Sequence, residues 1–297
     1  MSIGHDDVFE DDLRQPASEG ASRVTLRRVV RHPFGAVGLT LLTIFIVAAI
    51  AAPMIAPFDP LAQHRGSELE GPSARFLLGT DEQGRDLLSR IIYGSRISLF
   101  VGLVAVSLGA TIGTVTGLVA GFVGRATDAI IMRWWDAIFA IPTILLGITV
   151  AAVFGASATN AAIALGIASM PLFARIARSV AIRERGKEYV SAALTDGISR
   201  ARVLMRHILP NAAGPLLVQL ALAMAFAILV EAALSFIGLG TQPPAPSWGR
   251  MLSDSRRYMH ISLSYVITPG VAISLLVISL NFVADALRDA FDPRSNR

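Results

Sequence analysis

The hydrophobic residues of this chain come in long blocks that are almost free of charge, and the charged residues lie between the blocks. Six blocks are long enough to cross a bilayer as helices of about 20 residues. They cover residues 36–56, 97–122, 134–154, 159–177, 215–237 and 265–285. Because a lipid-exposed backbone must satisfy its own hydrogen bonds, the pattern predicts an all-α, polytopic membrane protein with about six transmembrane helices.

The basic residues are unevenly shared between the segments that connect these spans. The segments at residues 57–96 and 238–264 hold eight of the 26 Arg and Lys, and most of the others lie in the alternate segments. Basic residues beside membrane spans stay on the cytoplasmic side, so both termini are expected inside the cell. The resulting order is a cytoplasmic tail (1–35), a first span (36–56), an external loop (57–96), a five-helix core (97–285) with a cytoplasmic loop at 178–214, and a cytoplasmic tail (286–297).

The composition agrees with a membrane protein and excludes several kinds of site. Apolar residues make up 53% of the chain and charged residues 16%, against about 25% charged in soluble domains. The absence of cysteine excludes disulfides, iron–sulfur clusters and thiolate zinc sites. The one Gly-Lys pair, Gly186-Lys187, is followed by Glu188 rather than Ser or Thr, so there is no phosphate-binding loop. We expect no catalytic residue, metal site, bound cofactor or nucleic-acid partner.

Two carboxylates lie well inside the predicted spans, Asp136 and Glu231. Ionisable groups in lipid often mark ion or substrate pathways. For Asp136 the sequence favours a local partner, Arg133 three residues earlier, or contact with the membrane interface, over a proton relay. Glu231 has only apolar neighbours in sequence, and it either lines a pathway or gate or pairs with another helix. Two isolated carboxylates are a poor proton wire, which weighs against an ion-coupled transporter.

A row of glycines four residues apart occupies the second predicted span. Residues at this spacing share one helix face, and glycine lets another backbone approach closely. The row consists of Gly109, Gly113, Gly117 and Gly121. It predicts a packing face, either toward another helix of this chain, which we favour, or toward a second subunit.

The predicted cytoplasmic loop is longer than a connector needs to be. Its sequence predicts two short helices separated at Asp196-Gly197, where glycine suits a left-handed helix end. Ser199 is a candidate N-cap of the second helix, which is expected to end at Leu209-Pro210. That helix has an apolar face beside a basic row. It therefore either lies on the membrane surface or enters a groove on a cytoplasmic partner.

This loop resembles the EAA loop of permease subunits of ABC-type importers, which contacts the ATPase subunits. The family motif reads Glu-Ala-Ala, three residues, Gly, and then about nine residues before Ile-x-Leu-Pro. The matching positions are Ala192, Ala193, Gly197, Leu209 and Pro210. The chain departs from the motif at Ser191, where Glu is expected, and at His207, where a strict count expects Ile and Ile208 follows. Glu188, one turn earlier, is a candidate for the missing carboxylate.

Two further stretches are similar to the second permease subunit of dipeptide, oligopeptide and nickel importers. They are GTDEQGRDLLSRIIYGSRISL at residues 79–99 and EAALSFIGLGTQPPAPSWG at residues 231–249. The string HILPN at residues 207–211 is also that branch's form of the motif's end. The resemblance covers roughly residues 30–290 and implies the type I ABC importer permease fold in a bacterial inner membrane.

The resemblance also implies partners and a function. Such a permease pairs with a homologous second permease, receives substrate from an extracytoplasmic binding protein, and is driven by two cytoplasmic ATPase subunits that bind ATP and Mg²⁺. The expected substrates are di- and oligopeptides. Nickel or another small solute is the nearest alternative, and an ion-coupled secondary transporter is the alternative from another class.

Four residues of the external segments are candidates for contact with the binding protein. They are Asp81, Arg85, Asp86 and Trp248. For Arg85 and Asp86 the alternative is that they pair locally, within the loop. For Trp248 the alternatives are a hydrophobic rim at the external gate and an anchor at the membrane interface.

Overall fold

The computed structural model describes residues 29–30 and 32–291, which form a bundle of helices. These are α1 (Pro33–Ile55), α2 (Leu87–Val123), α3 (Arg125–Phe139), α4 (Thr143–Phe154), α5 (Ala158–Arg185), α6 (Glu188–Thr195), α7 (Arg200–Phe236), α8 (Trp248–Ser255) and α9 (Leu263–Phe291). A 3₁₀ turn over Arg256–Tyr258 follows α8. The described part of the chain contains no β-strand, so the fold class is all-α, as predicted.

Five of these helices are long and apolar enough to cross a membrane: α1, α2, α5, α7 and α9. Each covers one of the predicted apolar blocks to within a residue at its ends. A sixth span exists only if α3 and α4 are counted together as one bent span. The number of spans therefore agrees with the prediction, but the third span has a different form.

The prediction of a single helix over residues 134–154 is wrong. α3 begins at Arg125 and ends at Phe139, α4 begins at Thr143, and the two helices are bent by 81° relative to each other. Pro142 lies at the break, where its ψ of 130° is extended rather than helical. Because proline also lacks a backbone N–H, the helix is interrupted there.

Helix α2 connects the two ends of the bundle. Its 37 residues span about 55 Å, more than the hydrocarbon thickness of about 30 Å. It begins well before residue 97, the predicted start of the span, because Asp86 Oδ2 accepts a hydrogen bond from the Ser89 backbone N–H at 2.8 Å and caps the helix. Near Leu87 it packs against α8, and near Phe122 against α6. We refer to these as the α8 end and the α6 end of the bundle.

The contact between α2 and α5 is made through the predicted glycine row, and we call it the glycine seam. Its members on α2 are Gly109, Gly113, Gly117 and Gly121. A Cβ atom built on Gly117 would lie 2.1 Å from the Ala174 carbonyl oxygen of α5, and one built on Gly109 would lie 1.9 Å from Ser169 Oγ. The row therefore faces a helix of the same chain, the first of the two alternatives.

Helix α1 lies at the edge of the bundle, against α9 and α2. Pro53 interrupts its hydrogen bonding, because proline has no N–H to donate to the Ala49 carbonyl four residues earlier. Arg96 of α2 supplies the missing donor: its Nε donates to Ala49 O at 2.5 Å and its Nη2 to Ile50 O at 3.3 Å. A basic residue near the α8 end thus joins α1 to α2.

We predict that Gly117→Ala lowers the stability of the protein, because the added methyl group meets the Ala174 carbonyl and pushes α2 away from α5. Overpacking of this kind costs about 1–3 kcal/mol. Gly270→Ala is the matched control, since Gly270 also lies in a long apolar helix but a Cβ there would be 3.6 Å from its nearest atom. Thermal unfolding in detergent measures both variants. Equal unfolding midpoints would contradict the importance of the seam.

Candidate functional site

The segment between α5 and α7, residues 186–199, folds against the bundle, and we call it the α6 loop. Two of its apolar residues, Val190 and Ala193, are buried in a cluster with side chains of α2, α5 and α7. The other members of this cluster are Leu118, Phe122, Ala177, Ala181, Val203 and Ile208. Apolar burial therefore docks the α6 loop onto three long helices at once.

The turn after α6 has the backbone geometry predicted for Gly197, with φ at +79°. The Gly197 N–H donates to the Leu194 carbonyl at 3.2 Å, and the Ile198 N–H donates to the Ala193 carbonyl at 3.0 Å. These two bonds form a Schellman motif, which satisfies carbonyls at the end of the helix. Ile198 then packs against the same apolar cluster, so the turn fixes the path of the chain into α7.

The second predicted helix of this loop does not end at Leu209-Pro210, and that prediction is wrong. α7 continues from Arg200 into the long span because it passes through a π-helical turn at Leu204–Ile208. In this turn the Leu209 N–H donates to the Leu204 carbonyl, five residues earlier. The wider turn accommodates the proline that follows within a continuous helix. Ser199 occupies the N-cap position, but its side chain forms no capping hydrogen bond.

A buried carboxylate that the sequence interpretation missed pins the α6 loop to α5. Glu184 is only 2% exposed and accepts hydrogen bonds from Lys187 Nζ at 2.9 Å and from Tyr189 Oη at 2.7 Å. The Asn211 amide of α7 donates to Tyr189 Oη at 3.4 Å. Burial and the bond to Glu184 raise the pKa of Tyr189 to about 12, so the phenol keeps its proton at neutral pH. Glu188, the candidate named from the sequence, is exposed.

The residues that match the EAA pattern divide into an exposed and a buried group. The exposed ones are Ser191, Ala192, Gly197 and Pro210, whereas Ala193 and Ile208 are buried and His207 and Leu209 are partly buried. Within the second helix, Val203 and Ile208 are therefore buried inside the chain, whereas Met205 is 60% exposed. What the loop leaves accessible is a row of small residues on α6 beside exposed Arg202 and Arg206 of α7.

A cavity of about 420 Å³ lies in the middle of the bundle, beside the break between α3 and α4, and we call it the central cavity. Five helices and the break contribute to its walls, with α5 and α7 providing most of them. Its lining includes Phe139, Pro142, Leu172, Gln219 and Phe226. The walls are mostly apolar, and Gln219 is the amide among them.

Asp136 has a different partner from the one expected. Its Oδ1 accepts a hydrogen bond from Nη2 of Arg175 at 2.8 Å, so the prediction of Arg133 as its partner is wrong. The two residues belong to α3 and α5, which are adjacent because α3 folds back along α5 after Gly124. The sequence could suggest only a partner within one helical turn of Asp136, whereas Arg175 lies 39 residues away.

Glu231 is fully buried near the α8 end. Ser235 Oγ donates to its Oε1 at 2.6 Å, and Ser247 Oγ, from the segment before α8, approaches the same oxygen at 3.4 Å. The Thr241 backbone N–H donates in turn to Ser235 Oγ at 3.1 Å. Glu231 lines neither the central cavity nor the charged cleft at the α8 end, and its contacts hold residues 237–247 against α7 rather than joining two spanning helices.

The candidate residues of the external loop are mostly buried and bond to one another. Asp81, which is not exposed at all, accepts from Arg85 Nε at 2.6 Å and lies 3.3 Å from Arg90 Nε. Asp86 caps α2 and Arg85 pairs with Asp81 and Glu82, so both residues have the local partners that one of the two alternatives predicts. Arg85, with Glu82, borders a charged cleft of about 350 Å³ at the α8 end. Asp81 and Asp86 thus shape the loop rather than form its accessible surface.

Trp248 is also buried. The predictions that it forms an exposed hydrophobic rim or a membrane anchor are therefore both wrong. Its ring packs beside Gly94, where a Cβ would lie 2.6 Å from the indole, and it meets Phe45 edge-on at 5.7 Å between centroids. Its Nε1 donates to the Ile91 carbonyl at 3.0 Å. The side chain therefore joins α8 to α1 and α2.

Comparison with known proteins identifies the family to which this arrangement belongs. Residues 113–297 match the family described as binding-protein-dependent transport system inner membrane component. The chain belongs to this family. Residues 21–72 also match the N-terminal TM domain of oligopeptide transport permease C.

Curated relatives are similar to this permease over almost its whole length. The dipeptide transport system permease protein DppC of Alkalihalophilus pseudofirmus is 42% identical, with 92% of this chain and 90% of that protein covered. The di/tripeptide transport system permease protein DppC of Pseudomonas aeruginosa is 43% identical, with 89% of each covered. The glutathione transport system permease protein GsiD of Pectobacterium atrosepticum is 41% identical, with 90% and 89% covered.

The fold is similar to that of a solved transporter. A chain of the MetNI methionine ABC transporter, in an inward-facing conformation, superposes with a TM-score of 0.57 at 17% identity. The match covers 69% of this permease and 98% of that chain. The permease is therefore a multi-pass membrane protein with the type I ABC importer permease fold.

We predict that Glu231→Ala destabilises the permease by about 1–3 kcal/mol, because it leaves the buried hydroxyls of Ser235 and Ser247 without their acceptor. Glu231→Gln keeps an acceptor oxygen in the same place and should change stability little. Thermal unfolding of the two variants in detergent compares them directly. An equal loss of stability in both variants would show that Glu231 does not stabilise the fold through its hydrogen bonds to Ser235 and Ser247.

Proposed function

We propose that this permease forms half of the translocation pathway of an ATP-driven importer for di- and oligopeptides in a bacterial inner membrane. Support comes from the relatives named for dipeptide, di/tripeptide and glutathione transport, which are 41–43% identical over about 90% of both chains. These names favour peptides over nickel or another small solute. An ion-coupled secondary transporter is also disfavoured, since it would have no use for a partner that binds the α6 loop.

The importer contains partners that supply what this chain lacks. A homologous second permease forms the other half of the pathway, and an extracytoplasmic binding protein delivers the peptide. Two cytoplasmic ATPase subunits bind ATP and Mg²⁺ and carry out hydrolysis. In this proposal the permease itself contributes no catalytic residue and needs no cofactor, and the described residues contain no group of three or more His, Asp or Glu that could hold a metal ion.

The docking of the α6 loop is the observation that carries the coupling proposal. Val190 and Ala193 are packed among side chains of α2, α5 and α7, so a displacement of α6 displaces those helices with it. The exposed residues Ser191, Ala192 and Gly197 contact the ATPase subunit. Closure of the ATPases on ATP then shifts the permease between inward-open and outward-open states, because the ATPases bind one state better.

The orientation that this coupling requires can be tested by labelling. We predict that a membrane-impermeant maleimide labels Gln83→Cys but not Glu188→Cys in intact spheroplasts, since the α8 end faces outward and the α6 loop faces the cytoplasm. Both positions are exposed, and the chain has no cysteine of its own to interfere. After the membrane is permeabilised, both variants should be labelled. Labelling of residue 188 in intact cells would refute the proposed coupling.

The transport function is tested by reconstituting the complete importer in proteoliposomes. Uptake of radiolabelled Ala-Ala should require internal ATP and the external binding protein, and it should persist when an ionophore collapses the ion gradients. Gly197→Val should lower both uptake and the ATPase activity stimulated by loaded binding protein severalfold, because a β-branched residue is strained at a φ of +79°.

The same substitution at Gly186 is the control for that experiment. Gly186 lies in the same loop, but its φ is −81° and a Cβ there would have 4.0 Å of space. Gly186→Val should therefore transport like the unmodified permease. Uptake that needs no ATP would disprove the proposed function, and normal stimulation of ATPase activity in Gly197→Val would disprove the role given to the turn.

A further inference from the structure

The ion pair of Asp136 and Arg175 lies beside the lining of the central cavity. Phe139 and Leu172 line the cavity. Asp136 lies one helical turn before Phe139, and Arg175 lies one helical turn after Leu172. The Arg175 guanidinium also lies over the Phe139 ring, 4.2 Å from its centroid. The charged groups are thus held next to a wall of the cavity while remaining 41% and 56% exposed.

The cavity and the ion pair together are complementary to a short peptide. The described residues that line the cavity are all uncharged, so its walls suit side chains of varied size and the apolar parts of a peptide. Gln219 has no side-chain hydrogen bond to any described residue and offers an amide to a peptide bond. The ion pair beside this lining offers one cation and one anion, which matches the two ends of a zwitterion.

We propose that Asp136 and Arg175 bind the charged termini of a peptide leaving the central cavity, Asp136 the ammonium group and Arg175 the carboxylate. This inference rests on the peptide transport function proposed above. Arg175 uses only its Nη2 for Asp136, and one carboxylate oxygen of Asp136 is likewise unused in the described structure. An ion pair this exposed contributes little to stability, so it opens easily to exchange one internal bond for two bonds to the peptide.

The neighbouring ion pair on the same two helices has the opposite character. Arg178 holds Asp128 with two hydrogen bonds, from Nε at 2.5 Å and from Nη2 at 2.7 Å, and both residues lie further along their helices from the cavity lining than Asp136 and Arg175. This two-point contact fastens α3 to α5 and leaves Asp128 without a free oxygen. The chain therefore contains one closed pair that holds the helices and one open pair beside the cavity.

The test uses a photoreactive dipeptide, alanyl-p-benzoylphenylalanine, with the assembled permeases and ATPases in proteoliposomes and no soluble binding protein. Omitting the binding protein removes its own preference for charged termini. The zwitterionic probe should label α5 or α7 beside the cavity about tenfold more than its N-acetyl, C-amide derivative, as expected for loss of charge-assisted bonds. Asp136→Asn combined with Arg175→Gln should abolish this difference.

The control variant is Asp128→Asn combined with Arg178→Gln, which removes the same charges from the same helices and should keep the preference for the zwitterion. Equal labelling by the two probes in the unmodified permease would overturn the proposal, as would loss of the preference in both double variants. No label near the cavity, as expected if a lipid tail or the second permease fills it, would also overturn it. The outcome is separable from the proposed function, because ATP-driven uptake of Ala-Ala is measured independently on the same preparation.

Discussion

The close approach of the α2 and α5 backbones along the glycine seam is the contact on which the rest of the structure depends. Lipid tails are as apolar as leucine, so helices in a bilayer are held together by van der Waals packing rather than by exclusion of water. The four glycines bring α5 so near to α2 that a Cβ at Gly117 would meet the Ala174 carbonyl at 2.1 Å. The two helices consequently behave as one body that reaches from the α8 end to the α6 end.

Arginine side chains organise what surrounds this pair of helices. Arg178 fastens α3 to α5, Arg185 donates to the Phe122 carbonyl at 3.1 Å, and Arg96 supplies the donor that Pro53 removes from α1. Each guanidinium meets a carboxylate or a free carbonyl, which is how a charged group is accommodated in a mostly apolar bundle. Because α3 is fixed in this way, the break at Pro142 stands beside the central cavity.

The α6 loop is firmly anchored to the bundle although one residue of the EAA pattern is replaced. Ser191 stands where the EAA pattern has its glutamate, yet the loop is still anchored, by apolar burial of Val190 and Ala193 and by the buried carboxylate of Glu184. Such an anchored loop can transmit a push or pull to the spans because packed interiors deform little. The exposed side of α6 remains available to a partner.

Several features followed from the sequence because their causes are local. A block of about 20 apolar residues forms a helix in lipid whatever its neighbours are, and five of the spans agree with their predicted blocks. Gly197 adopts a positive φ because the chain must turn there. Other features depended on which helices meet, and sequence spacing could not reveal them. Arg175 reaches Asp136 across 39 residues, Trp248 is buried because Gly94 leaves room for its ring, and α7 passes Pro210 because a π turn absorbs the proline. Hydrophobicity along the chain determined the spans. Side-chain contacts between distant helices decided the bend, the ion pairs and the cavity, because the energies of these contacts exist only after the helices have packed.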